Sequence, residues 1–160
     1  MSDRETKGLV EQALEAVGLT GFENEDPFSL TKSGRKRVAV ASVLALKPDV
    51  LILDEPTTGL DYSEQRSMME MIKGLNEQGC TIIFITHHMW IVAEYAHRVI
   101  VLKEGQLLME GTPREIFAKR ELAGAALTPP PVTAFSAALG RTLLSVDELE
   151  LCTLTGETGR

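Results

Sequence analysis

The sequence predicts an α/β fold in which a mostly parallel sheet is covered by helices. Three observations predict it. Val50-Leu-Ile-Leu53 and Thr81-Ile-Ile-Phe-Ile85 are short continuous apolar runs, the pattern of parallel strands buried on both faces. Residues 62–78 between them carry helical periodicity, the crossover that a parallel pair needs. The chain of 160 residues suits one domain rather than two, and at that size roughly 68–70% of the unfolded surface can be buried.

The elements follow in order. Ser2 to Val17 places Leu9, Val10, Ala13, Leu14 and Val17 on one helical face, with Gly18 as the terminating residue. An acidic loop runs through Glu23, Glu25 and Asp26 to Pro27. Leu30 to Leu46 is a loop entering a well-buried helix that stops before Pro48. The first strand ends in Asp54-Glu55. Asp61 caps the crossover helix, Glu64 completes a capping box, and Gly79 lies just past its end. After the second strand come a short helix over 88–96 and a hairpin, Val99–Leu102 with Leu107–Met109, turning at Glu104-Gly105. Thr112-Pro113-Arg114-Glu115 opens another helix, with proline at its first position. From Ala123 to Pro131 the composition is that of a linker stiffened by three prolines. Two short helices are expected beyond it, over Val132–Leu139 and Ser145–Leu149. Residues 155–160 are expected to fray.

Composition narrows the function. Hydrophobic residues at 44% and charged residues at 24% are globular values. A net charge of -7 disfavours coating nucleic acid, which wants surplus Lys and Arg. Two cysteines, Cys80 and Cys152, make neither a disulfide framework nor a zinc pattern, as expected of a reducing compartment. No apolar run has the length of a membrane span, and Met1-Ser-Asp-Arg-Glu lacks the pattern of a signal peptide. The expectation is a soluble cytosolic chain with no direct membrane insertion.

Three segments carry chemistry. The first is Val50-Leu-Ile-Leu-Asp-Glu-Pro-Thr-Thr-Gly-Leu-Asp61. A lone Asp-Glu more often merely closes a strand. At the carboxyl end of a parallel strand, however, Asp54 can hold a hard cation such as Mg²⁺, and Glu55 can orient or deprotonate a water. The second is Thr86-His87-His88, where a histidine just past a strand is either structural or a contact for a terminal phosphate. The third is Leu30-Thr31-Lys32-Ser33-Gly34-Arg35-Lys36-Arg37-Val38-Ala39. A hydroxyl and backbone N–H groups at a helix N-terminus suit an anion. Arg35-Lys36-Arg37 is too short a basic run to make a localisation or nucleic-acid patch.

Together these segments resemble the C-terminal half of the nucleotide-binding domain of ABC ATPases, over roughly residues 6–120. The resemblance implies a partial P-loop NTPase-type fold. Residues 1–47 would belong to its helical subdomain, 48–120 to the ATPase core and 121–160 to a Pro-rich linker and small extension. It implies ATP and Mg²⁺ as cofactors. Asp54 and Glu55 match the Walker B metal ligand and general base, Gly59-Leu60-Asp61 the D-loop, and His87 the switch histidine. His88 is placed at the start of the next helix. Thr31, Lys32, Ser33 and Gly34 occupy the signature loop, normally Leu-Ser-Gly-Gly-Gln. Thr31 keeps the hydroxyl, Lys32 and Ser33 replace the two glycines, and Gly34 replaces the glutamine. Lys32 either crowds the close approach that glycine permits or supplies a phosphate ligand.

The 160 residues contain no Gly-x-x-x-x-Gly-Lys-Ser/Thr phosphate loop. Without one, the chain by itself is expected not to hydrolyse ATP, and to be marginally stable or to complete its sheet with another polypeptide. The segment Gly105 to Phe117, followed by the Pro-rich linker, resembles the energy-coupling-factor ATPases of vitamin and metal-ion importers. That implies a second ATPase subunit, identical or different, beneath a membrane-embedded coupling subunit, with the chain cytoplasmic and peripheral to the membrane. A different possibility is a non-catalytic remnant that completes the nucleotide site of an intact ABC ATPase. A DNA-repair ATPase of this class would need a coiled coil or DNA-binding segment, and the sequence shows neither.

Overall fold

In the computed structural model the described residues are 2–125 and 127–155. They form two compact units, the first ending at Ile85 and the second beginning at Thr86.

The first unit opens with α1, Asp3–Ala16. Ser2 caps it through a box in which Ser2 Oγ accepts from the Glu5 N–H and Glu5 accepts from the Ser2 N–H. Gly18 follows in the left-handed region at φ +71°, where a residue with a Cβ would be strained. A 3₁₀ turn at Pro27–Ser29 leads to α2, Lys32–Leu44. Then come β1 (Val50–Asp54), α3 (Tyr62–Glu77) and β2 (Thr81–Ile85). The Asp61–Glu64 box caps α3 as expected. The strands pair parallel, Val50 opposite Thr81 and Asp54 opposite Ile85. The core gathers Leu14 and Val17 of the α1 region, Val40 and Ala41 of α2, Leu51 of β1 and Leu75 of α3.

Two sequence expectations are corrected here. Val50–Leu53 and Thr81–Ile85 are not buried on both faces: Ile52 is 64% exposed, Ile85 55%, Ile83 49% and Val50 48%. Only the face bearing Leu51, 2% exposed, packs on the helices. The apolar run encodes a strand that wants two covering layers, and one layer is present among the described residues. The helix at 30–46 is not well buried either. In α2 only Gly34, Val40 and Ala41 are buried, while Leu46, two residues past its end, is 80% exposed.

The basic triplet beginning at Arg35 is consumed inside this unit. Arg35 Nη1 donates to the Leu30 carbonyl at 2.6 Å and Lys36 Nζ to the Glu55 carbonyl at 3.2 Å. Arg37 donates to the Val17 carbonyl at 2.7 Å, the Ser67 carbonyl at 3.2 Å and Ser67 Oγ at 2.9 Å. Arg37 therefore ties α1, α2 and α3 together. Arg37→Met is expected to lower the unfolding free energy by about 2–3 kcal/mol, since charged donors are lost and Val17, which is fully buried, keeps an unpaired carbonyl. Urea titration of the two proteins measures this, and a midpoint unchanged by the substitution would refute the clamp.

The second unit contains α4 (Met89–Tyr95), the antiparallel hairpin of β3 (Val99–Lys103) and β4 (Gln106–Gly111), and α5 (Pro113–Ala118). Glu104 and Gly105 both have positive φ, 52° and 76°, as a tight two-residue hairpin turn demands. Val101, Met109, Ile116 and Phe117 form its core with Val92. Instead of a plain linker, residues Arg120–Ala125 make a 3₁₀ segment. Pro131 then occupies the first position of α6, Pro131–Ala137. The last helix, α7, runs Val146–Thr155 and is longer than the sequence suggested. The expected frayed tail falls at 156–160, outside the described residues, apart from Thr155, which closes α7. Buried Thr133 and Ser136 hold the α6–α7 connection: Thr133 Oγ1 donates to the Leu143 carbonyl at 2.6 Å, and Ser136 Oγ accepts from the Leu143 N–H at 3.0 Å.

The Thr112–Glu115 box caps α5. The Thr112 N–H first, and its hydroxyl second, hold the Glu115 carboxyl below the ordinary glutamate range. A lowered carboxyl contributes stability that is complete above its unfolded value, about 4.3. That contribution is lost as the pH falls through the lower folded value. Glu115→Gln is therefore expected to be less stable than the parent at pH 7 and indistinguishable from it in strong acid. Urea midpoints at the two pH values decide this; a gap persisting in acid would contradict the cap.

Candidate functional site

The site residues of the first unit lie at the carboxyl end of β1 and at the start of α2. Asp54 is the last residue of β1 and its side chain is exposed. Glu55 then leaves the strand in the left-handed region, φ +47°. Such a conformation costs an ordinary residue roughly 1–3 kcal/mol, and it recurs where a reactive side chain must be aimed. Three backbone bonds hold it. The Glu55 N–H donates to the Ile85 carbonyl at 3.0 Å, and its own carbonyl accepts from the Thr58 N–H at 3.2 Å and from Lys36 Nζ at 3.2 Å. The carboxylate is also engaged, since Thr58 Oγ1 donates to Glu55 Oε2 at 3.0 Å. Pro56 and Thr57 are buried beneath this turn, and the Thr57 hydroxyl has no hydrogen-bond partner among the described residues.

Thr31 is the N-cap of α2, and its hydroxyl accepts from the Gly34 N–H at 3.1 Å. Lys32 and Ser33 occupy the first two helical positions, whose N–H groups an α-helix cannot satisfy internally. Lys32 folds across the chain onto Gly59. A Cβ at Gly59 would stand 2.0 Å from Lys32 Nζ, the movable end of that side chain, whereas the φ of +73° at Gly59 is the constraint that favours glycine there. The start of α2 and the Gly59-Leu60-Asp61 segment are thus brought together. Asp61 uses Oδ1 to cap α3, accepting from the Glu64 N–H at 2.8 Å.

His87 belongs to the second unit and is exposed, two residues beyond the end of β2. Its ring lies 4.4 Å, centroid to centroid, from that of His88, and the His88 N–H donates to Thr86 Oγ1 at 3.1 Å. His88 is the N-cap of α4 but makes no side-chain cap bond. Lys36 and Thr58 were missed by sequence reasoning. The contact from Lys36 spans nineteen residues of sequence, so no local pattern announces it.

The donor set fits a hard divalent cation. Asp54 offers carboxylate oxygens at a strand end, open to solvent, which suits Mg²⁺ with most of its waters retained.

The family model for the ABC transporter matches residues 1–58. A protein of Caldanaerobacter subterraneus described as an ABC transporter ATP-binding protein is 55% identical over 153 residues, 95% of this chain and 27% of its own length. The energy-coupling factor transporter ATP-binding protein EcfA of Methanocaldococcus jannaschii is 45% identical over 117 residues, 73% of this chain and 42% of its own length. The chain is thus similar to ABC transporter ATP-binding proteins. Among solved structures, cbiO1 of Clostridium perfringens, part of the ABC transporter complex cbiONQ, aligns with TM-score 0.69 and 37% identity, covering 76% of this chain and 49% of that one. An ATP-binding cassette, MJ1267, aligns with TM-score 0.72 at 20% identity, a likeness of fold. The chain spans about a quarter to a half of the length of these relatives. The ABC ATPase homologues include energy-coupling-factor subunits. Among the described residues no helix is long and apolar enough to cross a membrane.

Proposed function

We propose that this chain supplies the signature, Walker B, D-loop and switch segments of the ATP-hydrolysing subunit of an energy-coupling-factor type importer. The observation that carries the reading is Glu55. A carboxylate follows a cation-binding carboxylate at a strand end, in a strained backbone, with its oxygen oriented by Thr58. That is the arrangement a general base for water needs. Asp54 would hold Mg²⁺, and the ion when bound would supply neutralising charge to the phosphates of ATP. His87 contacts the γ-phosphate from beyond β2. Thr31, Lys32, Ser33, Gly34 and Asp61 face the nucleotide of a second ATPase subunit. A phosphate loop must come from polypeptide outside these 160 residues, since none lies within them. The assembly sits at the cytoplasmic face of the membrane, against a membrane-embedded coupling subunit.

Mixing the chain with a separately expressed N-terminal half that bears a phosphate loop tests this. Mg²⁺-dependent ATP turnover that vanishes with Glu55→Gln supports it. Turnover by the chain alone would overturn the division of labour. Stimulation of an intact ABC ATPase that survives Glu55→Gln would favour the helper role instead.

A further inference from the structure

We propose that Lys36 is a positioning residue for Glu55, making the aim of the carboxylate depend on where α2 stands. The proposal rests on the functional reading above and adds a residue that no motif assigns. Glu55 sits at φ +47° against two local preferences. Its Cβ disfavours the left-handed region, and Pro56 directly after it pushes the preceding residue toward extended backbone. Something must oppose both. The Glu55 N–H is fixed by β2 through the Ile85 carbonyl. Its carbonyl, the group that swings when φ and ψ relax, is held by the short-range Thr58 N–H and by the half-buried Lys36 ammonium at 3.2 Å.

Lys36 is the fifth residue of α2, and the first three are Lys32, Ser33 and Gly34. Its neighbours Arg35 and Arg37 are engaged elsewhere, on the Leu30 carbonyl and on the Val17 and Ser67 groups. The helix start that faces an anion and the carboxylate that acts on water are therefore joined by one side chain. A charged donor makes the stronger bond to a carbonyl, so the link survives at the half-exposed rim of the site. A displacement of α2 is passed to the 55–56 peptide, and from there to the direction of the Glu55 carboxylate.

The isolated chain and the reconstituted ATPase provide separate readouts. In the ¹⁵N,¹³C-labelled chain alone, Lys36→Met is expected to move the Glu55 carbonyl carbon upfield and to shift its HN–Hα coupling toward the extended value. Lys36→Arg is expected to retain both parent signals. In the chain mixed with a phosphate-loop half, Lys36→Met is expected to lower kcat by about tenfold to a hundredfold, the cost of a misaimed group. KM for ATP is expected to stay within about twofold, and Lys36→Arg to recover most of the loss. A Met variant whose Glu55 signals match the parent overturns the proposal, as does a fall confined to kcat/KM through KM. If the parent halves show no turnover, the functional reading fails, and the Glu55 signals in the chain alone still decide for or against Lys36.

Discussion

Glu55→Gln in the reconstituted ATPase is expected to lower turnover by about 10²–10⁴-fold, the usual worth of a positioned general base. The amide is close to isosteric with the carboxylate, so it can keep the bond from Thr58 Oγ1, and the backbone bonds to Ile85, Thr58 and Lys36 do not involve the side chain. The fold and the placement of the residue should be preserved while its capacity to take a proton is lost. KM for ATP should change little, because Glu55 is assigned to the water and not to the phosphates. Steady-state kinetics over a range of ATP concentrations measures both quantities. A loss smaller than tenfold would remove Glu55 from the role of base and return the Asp-Glu pair to the status of a strand end. The same substitution in the chain alone is expected to leave the urea midpoint nearly unmoved, which separates catalytic from structural effects.

The second large effect concerns stability. Leu51→Ala is expected to cost about 2–5 kcal/mol, the range for emptying a buried leucine site. Leu51 is 2% exposed and is the one buried position of β1, where it meets the helices that carry Leu14, Val40 and Leu75. Ile52, its neighbour on the opposite face, is 64% exposed, so Ile52→Ala should stay within about 0.5 kcal/mol of the parent in the isolated chain. A total stability of about 5–15 kcal/mol is ordinary for a domain, and a sheet of two parallel strands with one uncovered face lies at the low end. About 0–3 kcal/mol then remains, so the Leu51 variant is expected to be marginally stable at room temperature, with a much lower urea midpoint than the parent. Far-UV circular dichroism and urea titration of the two variants side by side test this. Equal costs at the two positions would mean that the outer face is covered in solution.

The outer face also explains why the apolar runs misled. Ile52, Ile83 and Ile85 are written for a layer that the described residues do not provide. Sequence patterning records the environment a strand was selected for, and among the described residues that pattern stands without cover on one face. By contrast the local devices were legible. The Asp61–Glu64 and Thr112–Glu115 boxes, Gly18 and Gly79 past their helices, and the Glu104-Gly105 turn all depend on residues within four positions of one another. Short-range sterics and hydrogen bonding fix such features wherever the rest of the chain lies.

What the sequence by itself determined is therefore the order of helices and strands, their caps, and the chemical identity of the acids at the end of β1, the histidines after β2 and the residues that open α2. What only the tertiary structure decided is how those groups are held. Lys36, grouped by sequence with an undistinguished basic triplet, reaches the Glu55 carbonyl; Arg37, on α2, binds the end of α1 and Ser67 of α3; Lys32 lies on Gly59. The left-handed turn at Glu55 was equally invisible, because neither glutamate nor the proline after it favours that backbone. Contacts between residues nineteen to thirty positions apart are set by how helices pack and not by local preference. They carry no periodic signature in the chain.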